Sequence, residues 1–272
     1  DDPTCAEHGL VNILEAGRKA MDAVLREMMN ISDEQAEGDA AKIKAMRTCV
    51  GWFSSPACAL IYQVAKYVAL CSSKGYAIGQ KFLEWIETQL ADTEAVEGQL
   101  LGNSEDILAI CGGRMYVFFL DAAPVERLIS QQGSLLTFLE EEAEMGAEGG
   151  GKLRKSILTG ANSEPMMATL RAMAIICDAV LWPLLRAVKP AADKHVLDVL
   201  PDVWPKAVEF FRDAAERPEG VLDGTLKLDV GGPAPAPASG SQAKRSERAR
   251  IDMERIRSKA AGDPTVERLL KA

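Results

Sequence analysis

SEPMMATLRAMAIICDAVLWPLLRAV, residues 163–188, is the stretch that decides the fold class. Ser163 can cap a helix and Pro165 sits where the first turn tolerates a missing N–H. The apolar run that follows has helical length, with a kink expected before Pro183, because proline removes a backbone donor and crowds the preceding turn. Asp178 lies near the middle of the run. It breaks the uninterrupted apolar stretch of about 18 or more residues that a membrane span requires. The segment therefore reads as a core helix.

The same punctuation recurs along the chain. Thr4 and Glu7 stand at capping-box spacing before Leu10, Leu14, Met21, Val24, Leu25 and Met28, which repeat at helical intervals. Ser55 and Pro56 open SSPACALIYQVAKYVALCSSKG, and Gly75 follows its end. Ile78, Phe82, Trp85, Ile86 and Leu90 share one face, and Ser104 precedes EDILAICGGRMYVFFLD. PVERLISQQ and SLLTFLEEEAEMG are split by Gly133, and ADKHVLDVL and PKAVEFFRDAAE each begin near a proline. Only TLKLDV, residues 225–230, alternates like a strand, and it has no obvious pairing partner. The expectation is an all-α, multi-helix globular bundle of roughly ten helices. It divides into an N-terminal lobe, 1–145, a Gly-rich hinge, 146–151, and a C-terminal lobe, 152–230, or else forms one continuous core. A Pro/Ala/Gly/Ser linker, 231–242, and a basic helical arm, 243–272, follow. No fixed-period repeat indicates a solenoid.

Apolar residues are 47% of the 272 and charged residues 26%, which excludes disorder over the whole length. The net charge of −9 is uneven. Residues 243–272 hold nine Lys/Arg against five Asp/Glu, and 231–242 carry no charge, which leaves −13 on residues 1–230. Such a body resists nonspecific adhesion to nucleic acid and to anionic membranes. Five of the six cysteines lie in apolar runs, where free thiols pack as small hydrophobes. This favours an intracellular, reducing compartment. The chain starts at Asp1 without an initiator Met, so the organelle is not readable.

Motifs for chemistry are weak. GAEGGGKL has the G-x-x-x-x-G-K spacing of a phosphate loop, but a helix precedes it and Leu153 stands where Ser or Thr should hold magnesium. Glu148 would also put negative charge into the phosphate nest. Cys5 and His8 lack a second ligand pair for zinc. A hydrolase-like Cys/His pair from Cys111 and His195 is the third-ranked reading, with no positioned base to support it. No catalytic residue, cofactor or metal ligand is assigned. Trp52, Trp85, Trp182 and Trp204 sit in apolar surroundings and read as core.

The arm carries the functional expectation. GGPAPAPASGSQ combines flexible and extended steps and can span roughly 35 Å. Beyond it, Ala249, Met253, Ile256 and Ala260 form a narrow apolar seam. Gly262 ends that helix, and Asp263 with Pro264 starts a second one bearing Val266, Leu269 and Leu270. Met253, Ile256, Val266, Leu269 and Leu270 are the expected docking residues. Arg248, Arg255, Arg257 and Lys259 are expected to steer the basic arm toward an acidic surface. The reading is a non-enzymatic structural or scaffolding subunit, fastened by its arm to like or unlike protein subunits in an oligomer or larger complex. The alternative is a nucleocapsid-type RNA-binding coat protein with a two-lobed helical core.

Overall fold

The computed structural model describes residues 6–30, 55–72, 81–82, 84–88, 117–130, 133–144, 151–188, 196–231 and 241–272. Among them the fold is all-α, with eleven α-helices and no strand. Its contacts divide the chain into two compact units, residues 1–31 with 171–272, and residues 32–170. Of the expected hinge, 146–150 lie outside the described residues, and Gly151 begins a helix.

The unit formed by residues 32–170 is built on α2 (Pro56–Ser72), α3 (Val117–Ile129), α4 (Ser134–Glu144) and α5 (Gly151–Ala161). Ser55 caps α2 as its spacing indicates, its hydroxyl oxygen accepting from the Cys58 N–H at 3.3 Å. Helix α2 packs on α3 and α5, and α4 packs on both α3 and α5. Ile61, Phe119, Ile129, Leu135, Leu139 and Ile157 are fully buried there. Gly133 separates α3 from α4 because a side chain there would strike the Leu128 carbonyl. Trp85 stacks near Phe82, sets its edge against Phe138, and donates from Nε1 to Glu141 at 2.8 Å. PVERLISQQ reads in the sequence as a separate helix beginning at Pro124, but α3 runs through that proline.

Helix α6 (Glu164–Ile176) crosses the division between the two units and continues into a π-helical turn, Cys177–Leu181, then α7 (Trp182–Val188). The run Glu164–Ala187 is the one helix among the described residues long and apolar enough to cross a membrane, and 78% of its apolar window is buried in protein. The irregularity expected before Pro183 takes the form of this π turn, in which the Trp182 N–H donates to the Cys177 carbonyl. Pro183 has no N–H to offer the Ala179 carbonyl. That carbonyl accepts instead from the Leu228 N–H at 2.9 Å. The alternating TLKLDV segment is therefore not a strand. It keeps Leu228 buried and Lys227 and Asp229 exposed while lying along a helix that proline has opened. Cys177 in the turn and Cys58 in α2 are buried free thiols, as expected.

The other elements of the unit formed by residues 1–31 and 171–272 are α1 (Ala6–Met29), α8 (Val196–Glu216), α9 (Pro218–Asp223), α10 (Ser241–Ala260) and α11 (Pro264–Lys271). Leu14, Met21 and Leu25 of α1 are buried at helical spacing. Two short helices were expected around Pro201 and Pro205, but α8 is continuous through both. Both prolines lie on its exposed side, where water can satisfy the carbonyls they leave without a donor. Trp182 and Trp204 correct the expectation of core packing, at 43% and 48% exposure. The buried stripe of α8 is Val203, Ala207 and Phe210, and Trp204 falls on the face beside it.

Candidate functional site

The end of the arm follows the capping chemistry of its sequence. Gly262 takes the left-handed conformation at φ 78° and stops α10. Asp263 caps α11, accepting from the Thr265 N–H at 2.8 Å and the Val266 N–H at 3.4 Å, with Pro264 in the first turn. Its second carboxylate oxygen lies 3.6 Å from the Arg171 guanidinium. Both arm helices are seated on their own unit: α11 packs on α1 and α9, and α10 packs on α9.

Of the expected docking residues, Ile256, Val266 and Leu269 are fully buried. Met253 and Leu270 are partly buried. The buried edge of α10 runs Asp252, Ile256, Ala260, so Ala249, placed by sequence in the apolar seam, is exposed. Burying a side chain such as Leu269 or Ile256 contributes about 1.5–3 kcal/mol. These three residues are the apolar anchors of the arm.

The four basic residues fare differently. Arg248 lies on α10 with its side chain outside the described residues, and Lys259 is exposed. Arg255 lies 3.9 Å from Asp252 on its own helix. Arg257 sits within the contact itself. One guanidinium nitrogen donates to the Val221 and Leu222 carbonyls at 2.7 and 2.6 Å, and another to the Asp178 carboxylate at 2.8 Å. Those carbonyls belong to the last turn of α9, where unpaired acceptors and the helix dipole both favour a cation.

Asp178 projects from the π turn and also takes the Lys227 ammonium at 2.7 Å. Burial alone pushes its carboxyl up, but hydrogen bonds and charge from Lys227 and Arg257 outweigh that and hold it below the usual range. The residue missed by sequence reading is therefore Asp178, whose only signal in the sequence is the interruption of an apolar run. Gly224 completes the socket. It ends α9 at φ 84°, and a Cβ there would approach the Arg257 guanidinium carbon to 2.9 Å. Asp223 beside it accepts from the Thr225 hydroxyl and N–H at 2.7 and 2.8 Å, bonds that hold its carboxyl below the usual range and fix the turn. At the rim, Arg268 of α11 pairs with Glu27 of α1, lowering that exposed carboxyl.

The residues of the enzyme reading, Cys111 and His195, lie outside the described residues, as do Cys5 and Gly146–Gly150. Among the described residues no group of three or more His, Cys, Asp or Glu is arranged to hold a metal ion. No family model, curated protein or solved structure matches this chain at a significant level. Among the described residues, the arm and its socket form a site held by defined contacts.

Proposed function

We propose that this chain is a non-enzymatic structural subunit whose arm, residues 241–272, is a docking element that fastens copies into an assembly. The observation that carries the reading is the socket of Arg257, where one arm side chain joins the end of α9 to the π-turn carboxylate of Asp178. A tail that only solvates the protein has no use for such a socket, or for three fully buried anchors. The arm is seated on its own body, and seating it on a neighbour's socket would reuse the same contacts. Exchange of an identical element is a low-cost route to oligomers. The Pro/Ala/Gly/Ser linker suits it, reaching roughly 35 Å if extended.

Exchange is tested with full-length chains carrying a specific protease site in the linker. Copies with an affinity tag on the body are mixed with untagged copies whose arms carry a fluorophore, and the linkers are then cut. Recovery of fluorescent arms on tagged bodies is expected. Arms that remain only with their original bodies, or that fall away on cleavage, would contradict the proposal. Co-purification of RNA with an assembly that nuclease disperses would instead favour the coat-protein reading.

A further inference from the structure

Helix α8 carries a second apolar stripe beside its buried one. Pro201, Trp204, Val208, Phe211 and Ala215 are all exposed, Val208 and Phe211 at 46% and 40%. Their spacing alternates three and four residues, which lays them in one straight seam along about 21 Å of helix. Among the described residues of the unit that contains α8, none covers this seam, while Val203, Ala207 and Phe210 hold the helix to its own unit. A seam of this regularity is unusual on a free surface, where apolar residues are ordinarily scattered.

We propose that the seam is the seat of a second copy of this chain, the two α8 helices pairing antiparallel about a two-fold axis at Val208. The face is self-complementary in that arrangement. Trp204 of each copy lies opposite Arg212 and Phe211 of the other, and Pro201 lies opposite Ala215, so large residues meet in the middle and small ones at the ends. Arg212 is exposed and has no ion pair among the described residues, which leaves its guanidinium available to the indole face. The seam is flanked by Glu209 and Glu216 as well as Arg212. With the chain's net charge of −9, those acids oppose an anionic membrane or a nucleic acid as occupant. A two-fold contact needs a patch that fits itself, and an apolar seam flanked by Arg212 as well as by acids meets that need without setting one sign of charge against itself throughout.

The apolar surface of these few side chains falls short of the roughly 800 Å² per partner of a tight interface. The pair is therefore a weak one, with a dissociation constant on the order of 10 μM, seen only across a concentration series. The stripe includes no residue of the arm or its socket, so this contact and arm exchange fail separately.

The test uses the full-length chain. Sedimentation velocity from about 1 to 200 μM, a range bracketing that constant, should show a concentration-dependent step of self-association that Val208→Lys weakens at least tenfold. In parallel, Val208→Cys should form a disulfide-linked dimer under mild oxidation well above the wild-type background. Ala215→Cys should not, because antiparallel pairing sets the two copies of that residue about 21 Å apart. The Val208 cross-link should survive in a Leu269→Asp, Leu270→Asp background, where the arm is unseated. A monomer at all concentrations overturns the proposal. So does a cross-link at Ala215 but not at Val208, or a dimer that Val208→Lys leaves intact and the double Leu variant abolishes.

Discussion

Asp178, Lys227 and Arg257 come from a π turn, an extended segment and the arm, and one carboxylate holds all three together. Arg257→Ala should cost about 2–3 kcal/mol in chemical denaturation, since it removes charge-assisted bonds and strips two α9 carbonyls of their donor. Gly224→Ala should cost about 1–3 kcal/mol, from left-handed strain and displacement of the guanidinium. Parental stability in either variant would show that the socket does not hold the arm. Because the folded pKa of Asp178 is depressed, its contribution is full above the ordinary carboxylate value and is lost as pH falls through the depressed one. Asp121 works in the opposite direction. Burial pushes its carboxyl up to about 7, and its Oδ2 has no hydrogen-bond partner among the described residues. Between about pH 4 and 7 the unfolded chain has released this proton and the folded chain keeps it, so stability falls as pH rises through that window. Asp121→Asn should therefore stabilise the protein at pH 8 by a few kcal/mol, because each tenfold difference in proton affinity between the folded and unfolded chain is worth about 1.4 kcal/mol. At pH 4 the same substitution should change little. Equal melting of the two proteins at pH 8 would contradict this.

Capping chemistry made the element boundaries legible. Ser55 before α2, Gly262 after α10 and Asp263-Pro264 at the head of α11 all act as their residue types dictate, because each signal is local and satisfies its own orphan backbone groups. Prolines misled for the complementary reason. Pro124, Pro201 and Pro205 read as breaks, yet α3 and α8 continue through them, since packing and solvent absorb the lost bonds. Pro183 was legible as an irregularity, but its consequence was not. Which N–H would take the freed Ala179 carbonyl depended on Leu228, far along the chain. The apolar anchors Ile256, Val266 and Leu269 were readable from spacing, whereas Arg257 differs from Arg255 only through tertiary placement. At this scale the arm's affinity should rest on the anchors together with Arg257. Leu269→Asp with Leu270→Asp should release the arm after linker cleavage, as followed by fluorescence anisotropy of a labelled arm. Raising salt from 0.1 to 0.5 M, about the range over which the Debye length halves, should weaken retention less than tenfold. A steep salt slope with an indifferent double variant would show that charge, not burial, holds it.

On these two proposals the whole molecule has two self-contacts of different kinds, an exchangeable arm and the exposed seam of α8. One two-fold contact stops at a dimer, and adding a second contact is what lets a chain build further. The charge distribution is consistent with protein partners: +4 on residues 243–272 against −13 on residues 1–230 draws arm to body, whether its own or a neighbour's. The nucleocapsid alternative asks that same arm or a concealed groove to neutralise phosphates, and the acidic body opposes it. The decisive measurement is the mass of the full-length protein in solution, by sedimentation at about 100 μM, well above the weak contact's expected constant, with and without nuclease. The parent and the Leu269→Asp, Leu270→Asp variant are compared. A structural subunit fastened by its arm gives a species larger than a dimer that nuclease leaves unchanged and the double variant reduces to dimer or monomer. A parent that is no larger than the variant, or one that nuclease disperses, contradicts that account.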